Sequence, residues 1–326
     1  MKHLYSIIIV FFAATGVSFA QQTQLFSQHL FNRTFINPAN AGVADRVEAV
    51  AFYRSQWVGL EGSPEYQSVT ADLPLFDINS GVGLSFYNDA LGVERNTAVY
   101  AVYAYHKSLG KGKLSVGLRA GWVQKGFDGS QLTTPGGQYN DNTQPVHNDG
   151  VIPNVNVSGG TPDVGLGVQY STAEYFVGVS LDQLLAPSLQ LQGGNTSPEI
   201  ALRRHINLHA GYDFAVANRW LVTPTALVRS DFVKNQLDVA VVATYNRFIR
   251  FGAGYRGYNG RSQDAIIAIL GLQLSEQWQF GYSYDYNISE LANVNAGTHE
   301  LFVRYQLPIT RPRVGKIINN PRFLSF

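Results

Sequence analysis

From Trp278 the chain alternates strictly. Trp278, Phe280, Tyr282, Tyr284 and Tyr286 fall on one side of an extended backbone, and Gln279, Gly281, Ser283, Asp285 and Asn287 on the other. That two-residue period is the period of a β-strand. After a short polar break, Leu301, Val303, Tyr305 and Leu307 alternate with Glu300, Phe302, Arg304 and Gln306, so 277–307 reads as a hairpin with one apolar, aromatic face. The same pattern recurs upstream. Strands are predicted over 46–57, 65–75, 80–88, 94–107, 112–126, 163–171, 173–184, 204–216, 219–230, 235–246, 248–258 and 263–275, twelve segments that make fourteen with the closing hairpin. In the fifth, Leu114, Val116, Leu118, Ala120 and Trp122 oppose Ser115, Gly117, Arg119 and Gly121; in the eighth, Ile206, Leu208, Ala210, Tyr212 and Phe214 oppose Asn207, His209, Gly211 and Asp213.

A water-soluble sandwich also alternates in this way. Three features point instead to a transmembrane, antiparallel outer-membrane β-barrel, an all-β fold. The strand number is even, and each strand approaches the roughly 9–11 residues that cross a bilayer at a tilt. On the best faces the apolar side carries no charge, while Arg119, Asp213, Asp285, Glu300 and Arg304 sit opposite. A Lys or Arg facing the bilayer midplane costs about 2–4 kcal/mol, so a lipid face requires this segregation. Strands 1, 2 and 12 segregate less cleanly; inward Ile267 and Ile269 suggest a lumen that is partly plugged there. The gaps also differ by parity. Those after even strands are short, as periplasmic turns are, whereas the two longest, near 127–162 and 185–203, both follow odd strands. The barrel is therefore expected over 46–307.

Composition agrees. Charged residues make up 14 % of the 326-residue chain, aromatics 13 % and glycine 32 positions, against about 25 % charged in a soluble domain. The aromatics suit interface girdles and a lipid-facing surface, with sugar stacking as a lesser use. The net charge of +1 carries no signal for nucleic acid, and no nucleic-acid partner is expected. No cysteine is present, so disulfides do not contribute. Lys2 and His3, the apolar run Leu4 to Phe12 and the small-residue site ending at Ala20 read as a cleavable signal peptide over 1–20, with Gln21 as mature N-terminus.

Residues 21–45 form an N-terminal segment whose Leu25, Phe26, Leu30, Phe31 and Phe35 would be costly to leave in water, so it is expected to pack on the barrel or inside it. Beyond Leu307, prolines 308, 312 and 321 oppose another strand, and Arg311, Arg313, Lys316 and Arg322 make 308–326 a basic, periplasmic tail. No catalytic constellation stands out, and neither cofactor nor metal is expected. His205 and His209 lie about 13 Å apart along a strand, too far for shared ligation. Asn and Asp in 140–142 and 148–150 fit calcium or simple turns alike. A rim-sited lipid hydrolase would need a Ser–His–acid cluster for which nothing points the way.

The segments FSQHLFNRTFINPANAG at 26–42, YRSQWVGLEGSPEYQSVTADLPL at 53–75, the GxG strand, Asn-Asp turn and YAY strand of 81–121, and 162–185 and 282–307 resemble the PorP/SprF family of type IX secretion and gliding motility. The resemblance covers nearly the whole mature chain; the 127–162 insert fits least. It implies a non-enzymatic outer-membrane barrel bathed in outer-membrane lipid. Its implied partners are a secretion substrate bearing a C-terminal sorting domain, such as a gliding adhesin, and the periplasmic lipoprotein ring and motor. A recognition site, if present, is expected at Arg54, Gln56, Trp57, Gly59, Gly62 and Pro64, whose other reading is a structural turn with an interface Trp. The alternative function is a passive porin or hydrophobic-solute channel.

Overall fold

The computed structural model describes residues 26–139, 146–148, 152–193, 199–258 and 263–309. The expected signal peptide and almost all of the basic tail lie outside them. Fourteen strands form the wall: β1 (Arg46–Ser55), β2 (Glu65–Leu75), β3 (Ser80–Leu91), β4 (Glu94–Leu109), β5 (Gly112–Asp128), β6 (Asn156–Ser171), β7 (Tyr175–Asp182), β8 (His205–Tyr212, continued by Phe214–Ala217), β9 (Trp220–Ser230), β10 (Asn235–Tyr245), β11 (Ile249–Gly257), β12 (Gln263–Gln273), β13 (Trp278–Asn287) and β14 (Thr298–Pro308). Each pairs antiparallel with its chain neighbour. β1 and β14 then pair from Arg46↔Pro308 to Ser55↔His299, which closes the barrel and leaves no edge.

The alternation sorts side chains as expected. Val116, Leu118 and Trp122 of β5, Leu166 and Val168 of β6, and Trp278, Phe280 and Tyr282 of β13 are exposed on the outside, where lipid is their solvent. Ser115, Gln169, Asn207, Gln279, Ser283, Asp285 and Glu300, on the alternate positions of their strands, are buried on the inside. The longer connections, 56–64, 129–155, 183–204 and 288–297, share one end of the barrel, which is the outer end by the rule for bacterial barrels.

Four local expectations change. β5 and β6 pair up to Asp128↔Asn156, so the long outer gap shrinks to 129–155; the added residues of β6, Asn156 to Pro162, include Gly159, Gly160 and Pro162, which read as a turn in sequence. The 183–204 connection holds a small hairpin, Ser188–Gln190 with Glu199–Ala201. Its Leu189 and Leu191 join Val157 in a separate apolar cluster above the wall. The outer β3–β4 connection is only Gly92–Val93, with Gly92 at φ +54°, a left-handed conformation cheap for glycine. Finally, β8 breaks at Asp213, whose N–H donates to Glu174 O and whose carboxylate accepts from Thr223 Oγ1.

The N-terminal segment runs inside the barrel. Three short turns, His29–Phe31, Arg33–Ile36 and Pro38–Asn40, lead from Phe26 to the start of β1. Asn32 and Asn37 start two of them, each accepting a backbone N–H on its side chain. Phe26 and Phe31 pack against inward Val50, Phe52, Tyr66, Val242, Ile267, Ile269 and Phe302. The Phe31 and Phe302 rings stack at 4.8 Å, and Phe26 meets Tyr66 edge-on at 4.7 Å. Burial of each plug ring contributes about 1.5–3 kcal/mol. This accounts for the mixed faces of strands 1 and 12: their inward apolar residues cover a plug instead of facing water.

Candidate functional site

The lumen holds two polar constellations, one at each end of the plug. The first is a charge cluster in the outer half. Arg54 (β1), Asp238 (β10), Arg256 (β11), Asp285 (β13) and Glu300 (β14) are all essentially buried. Arg54 donates to Asp285 at 2.7 Å and to Glu300 at 3.0 Å. Arg256 donates to Asp238 at 2.6 Å and to Asp285 at 2.8 Å. Ser27 of the plug sits at their centre. Its hydroxyl lies 2.7 Å from both Asp285 oxygens and accepts from Arg54 at 2.9 Å and Arg256 at 3.0 Å. Glu300 takes the backbone N–H groups of Ser27 and Gln28, each at 2.9 Å. Such a network adds little net stability over an apolar core, but breaking one partner leaves a buried charge uncompensated. It therefore specifies where the plug begins.

His29 follows in the plug. Burial, opposed by the Asp238 carboxylate and reinforced by Arg229 and Arg256, lowers its pKa from 6.5 to about 4. The plug is thus built around a neutral imidazole at neutral pH.

The second constellation is the turn from Asn37 to Gly42, pressed against four glycines of adjacent strands. A Cβ on Gly81 would lie 2.0 Å from Ala41 O, one on Gly117 2.2 Å from Ala39 N, one on Gly167 1.9 Å from Asn37 Oδ1, and one on Gly178 2.8 Å from Asn37 Nδ2. The missing side chains form a cradle. Asn37 Nδ2 donates to Val168 O at 3.0 Å and to Val179 O at 3.2 Å, bridging β6 and β7. Gln169 donates to Asn40, and His209 bonds Gln169 in turn. Ala41 O meets His106 Nε2 at 3.0 Å, and Gly42 N–H donates to Asp72 at 2.8 Å. His209 is therefore tied into the cradle through Gln169, and among the described residues no cluster of three metal-ligating side chains occurs. Of the calcium candidates only Asn148 is described, and it donates to Gly136 O.

Above the plug, between β3–β5 and β7–β9, lies a cavity of about 110 Å³. Phe35 and Ile36 form its floor, Arg119 and Asp182 pair across it at 2.7 Å, and Glu94 and Lys125 line its outer part.

The six recognition candidates do not form one surface. Arg54 is inside the lumen, as described. Gln56, Trp57, Gly59, Gly62 and Pro64 build the β1–β2 loop at the outer rim, held by Gln56 N–H to Pro64 O at 2.9 Å. Val58 N–H to Gly297 O, Ala296 N–H to Val58 O, and Trp57 N–H to Thr298 Oγ1 fasten that loop to the β13–β14 loop. Trp57 adopts φ +54°, and a Cβ on Gly59 would meet nothing within 4 Å. Of the inward charges singled out by periodicity, Arg119 pairs with Asp182, Arg304 with Glu48, and Asp285 and Glu300 with Arg54, while Asp213 accepts from Thr223 Oγ1. Ser27, Asn37, Asp238, Arg256 and the glycine cradle were missed. Ser27 and Asn37 show in the sequence only as polar residues among the apolar ones of the N-terminal segment, and Asp238 and Arg256 only as single charges on their strands.

The family model of the type IX secretion system membrane protein PorP/SprF matches residues 18–305. Among solved structures the barrel is similar to a Pseudomonas aeruginosa FadL homologue, with 11% identity, a TM-score of 0.51, and coverage of 85% of this chain and 94% of that one. It is also similar to the Ralstonia pickettii toluene transporter TbuX, with 10% identity, a TM-score of 0.50, and coverage of 85% and 93%. At such identity the likeness speaks for the fold. No curated protein sequence matches the chain.

Proposed function

Because the chain belongs to the PorP/SprF family of type IX secretion system membrane proteins, we propose that it is the dedicated outer-membrane partner of a secreted surface protein with a C-terminal sorting domain. Family and fold are of non-enzymatic types, and the barrel belongs to the outer membrane. In the proposed role the outer loops, with the Gln56–Pro64 rim among them, hold the client at the cell surface. The periplasmic end contacts the lipoprotein ring and motor.

The observation that carries this reading is the plug. Its apolar and hydrogen-bonded contacts reach β1–β7 and β10–β14, so residues bonded to the wall occupy the lumen. A scaffold needs rigid loops on a rigid barrel and has no use for an open pore. The competing porin or solute-channel reading requires the plug to leave.

The test is a gentle-detergent pull-down of the tagged full chain from outer membranes, with partners identified by mass spectrometry. A large surface protein recovered in stoichiometric amount supports the client role. Ring lipoproteins and motor components alone shift the assignment to the core machinery. A lone barrel with steady conductance in planar bilayers overturns the proposal in favour of a channel.

A further inference from the structure

At the periplasmic end of the wall two turns sit side by side, Asn218–Arg219 between β8 and β9 and Asn246–Phe248 between β10 and β11. They are fastened together, because Asn246 N–H donates to Arg219 O at 2.7 Å. Asn246 and Arg247 adopt φ +51° and +58°. A turn with two such residues favours Asn followed by Gly, yet an exposed Arg holds the glycine place here, in a conformation that its side chain disfavours. Arg219 is exposed too, and among the described residues neither arginine forms an ion pair with a carboxylate. Glu174, on the β6–β7 turn, is taken by Tyr212 Oη at 3.3 Å. An open cleft of about 520 Å³ lies at this place, lined by Ala217, Asn218, Arg219, Trp220 and Tyr245. Its wall is aromatic: the Trp220 ring stands 4.9 Å from Tyr245 and 5.7 Å, edge-on, from Phe251. Phe214 and Phe251, both exposed, continue that wall up the lipid face.

We propose that this cleft binds the headgroup of an anionic phospholipid. Guanidinium groups match the oxygens of a phosphodiester. Aromatic rings of this kind sit at headgroup level, and the acyl chains run from there onto Phe214 and Phe251. The periplasmic leaflet of an outer membrane is its phospholipid leaflet, so the ligand lies at the height of the cleft. Charge selects among the lipids. The two turns hold two arginines and no carboxylate, so a net negative headgroup is favoured, while the ammonium of a zwitterionic one finds no partner. Each cation beside an anionic lipid surface is worth about fivefold in binding. An aromatic girdle alone would hold any lipid; the paired arginines add the preference. The site rests on the barrel in its membrane and does not depend on the secretion reading.

The experiment is fluorescence quenching at Trp220 in the full chain folded into phosphatidylcholine vesicles. Trp57→Phe, Trp122→Phe and Trp278→Phe leave Trp220 as sole reporter, since the chain has four Trp. Phosphatidylglycerol and phosphatidylethanolamine, each brominated on its acyl chains, are the probes. Phosphatidylglycerol should be preferred at least fivefold beside Trp220. Arg219→Gln with Arg247→Gln should abolish that preference. Lys107→Gln with Lys111→Gln, on the exposed β4–β5 turn, should leave it unchanged. Folded-barrel migration on unheated gels checks each variant; the single arginine variants, each expected to lower the preference at least twofold, serve if the double one fails. A preference below fivefold overturns the proposal, as does one that survives loss of the arginines. An equal fall in the lysine variant would mark diffuse surface charge and overturn it as well. So would loss of the preference on adding millimolar inorganic phosphate, which would make the ligand a soluble anion.

Discussion

Adding one methyl group to the cradle should loosen the plug while leaving every strand pairing intact. In Gly167→Ala the new Cβ falls 1.9 Å from Asn37 Oδ1, and in Gly117→Ala it falls 2.2 Å from Ala39 N. Both neighbours belong to the plug, and the strand backbone behind the methyl is fixed by its ladder, so the turn must move. Moving it gives up the Asn37 bonds to Val168 O and Val179 O and the Gln169 bond to Asn40 Oδ1. At about 1 kcal/mol net per hydrogen bond the loss is about 3 kcal/mol. If the plug moves as a unit, its undocked population rises about a hundredfold, since each 1.4 kcal/mol is tenfold. The chain has no cysteine, so a single Leu30→Cys reporter, partly buried against the lumen core, can be followed by maleimide labelling. Exposed Ser130→Cys gives the reference rate. Labelling of the reporter should rise about a hundredfold in either cradle variant, with intermittent conductance in planar bilayers. Unchanged labelling and a silent bilayer in both variants would show that the wall yields instead, and would refute the cradle argument.

Glu300→Ala strips the Ser27 and Gln28 N–H groups and Arg54 of a shared partner; a loss of about 3–5 kcal/mol is expected, read as a lower urea midpoint, with Glu300→Gln milder. Leu118→Arg puts a cation on the lipid face of β5, where Leu118 is exposed, and should cost about 2–4 kcal/mol, measured by folding into vesicles. Acid should weaken plug docking. His29 titrates at about 4 when docked and 6.5 when free, so the undocked state binds more protons between those values. Docking is at full strength above pH 6.5 and falls by about 3 kcal/mol as pH approaches 4; bilayer conductance should grow over that window in the parent and far less in His29→Gln.

Much of this architecture was legible in the residues. Strand β2 was predicted with both its ends, and the lipid-facing and lumen-facing sets of β5, β8, β13 and β14 were read correctly, because a wall between lipid and lumen imposes a two-residue period on every strand. The inward Ile267 and Ile269 signalled a plug, and the described part of the N-terminal segment, from Phe26 onward, lies against them. The outer end of β6, 156–162, was hidden because Gly159, Gly160 and Pro162 read as turn residues.

What the chain by itself determined was therefore the barrel: local alternation is a property of neighbours in sequence, and each strand carries it alone. The lock around Ser27, the glycine cradle beneath Asn37 and the cavity beside Lys125 belong to the closed tertiary structure. Arg54, Arg256, Asp285 and Glu300 come from four strands spread over more than two hundred residues, and each reads alone as an ordinary lumen charge. Only closure of β1 on β14, with the plug inside, brings their charges within hydrogen-bonding distance, and no local pattern records a contact of that kind.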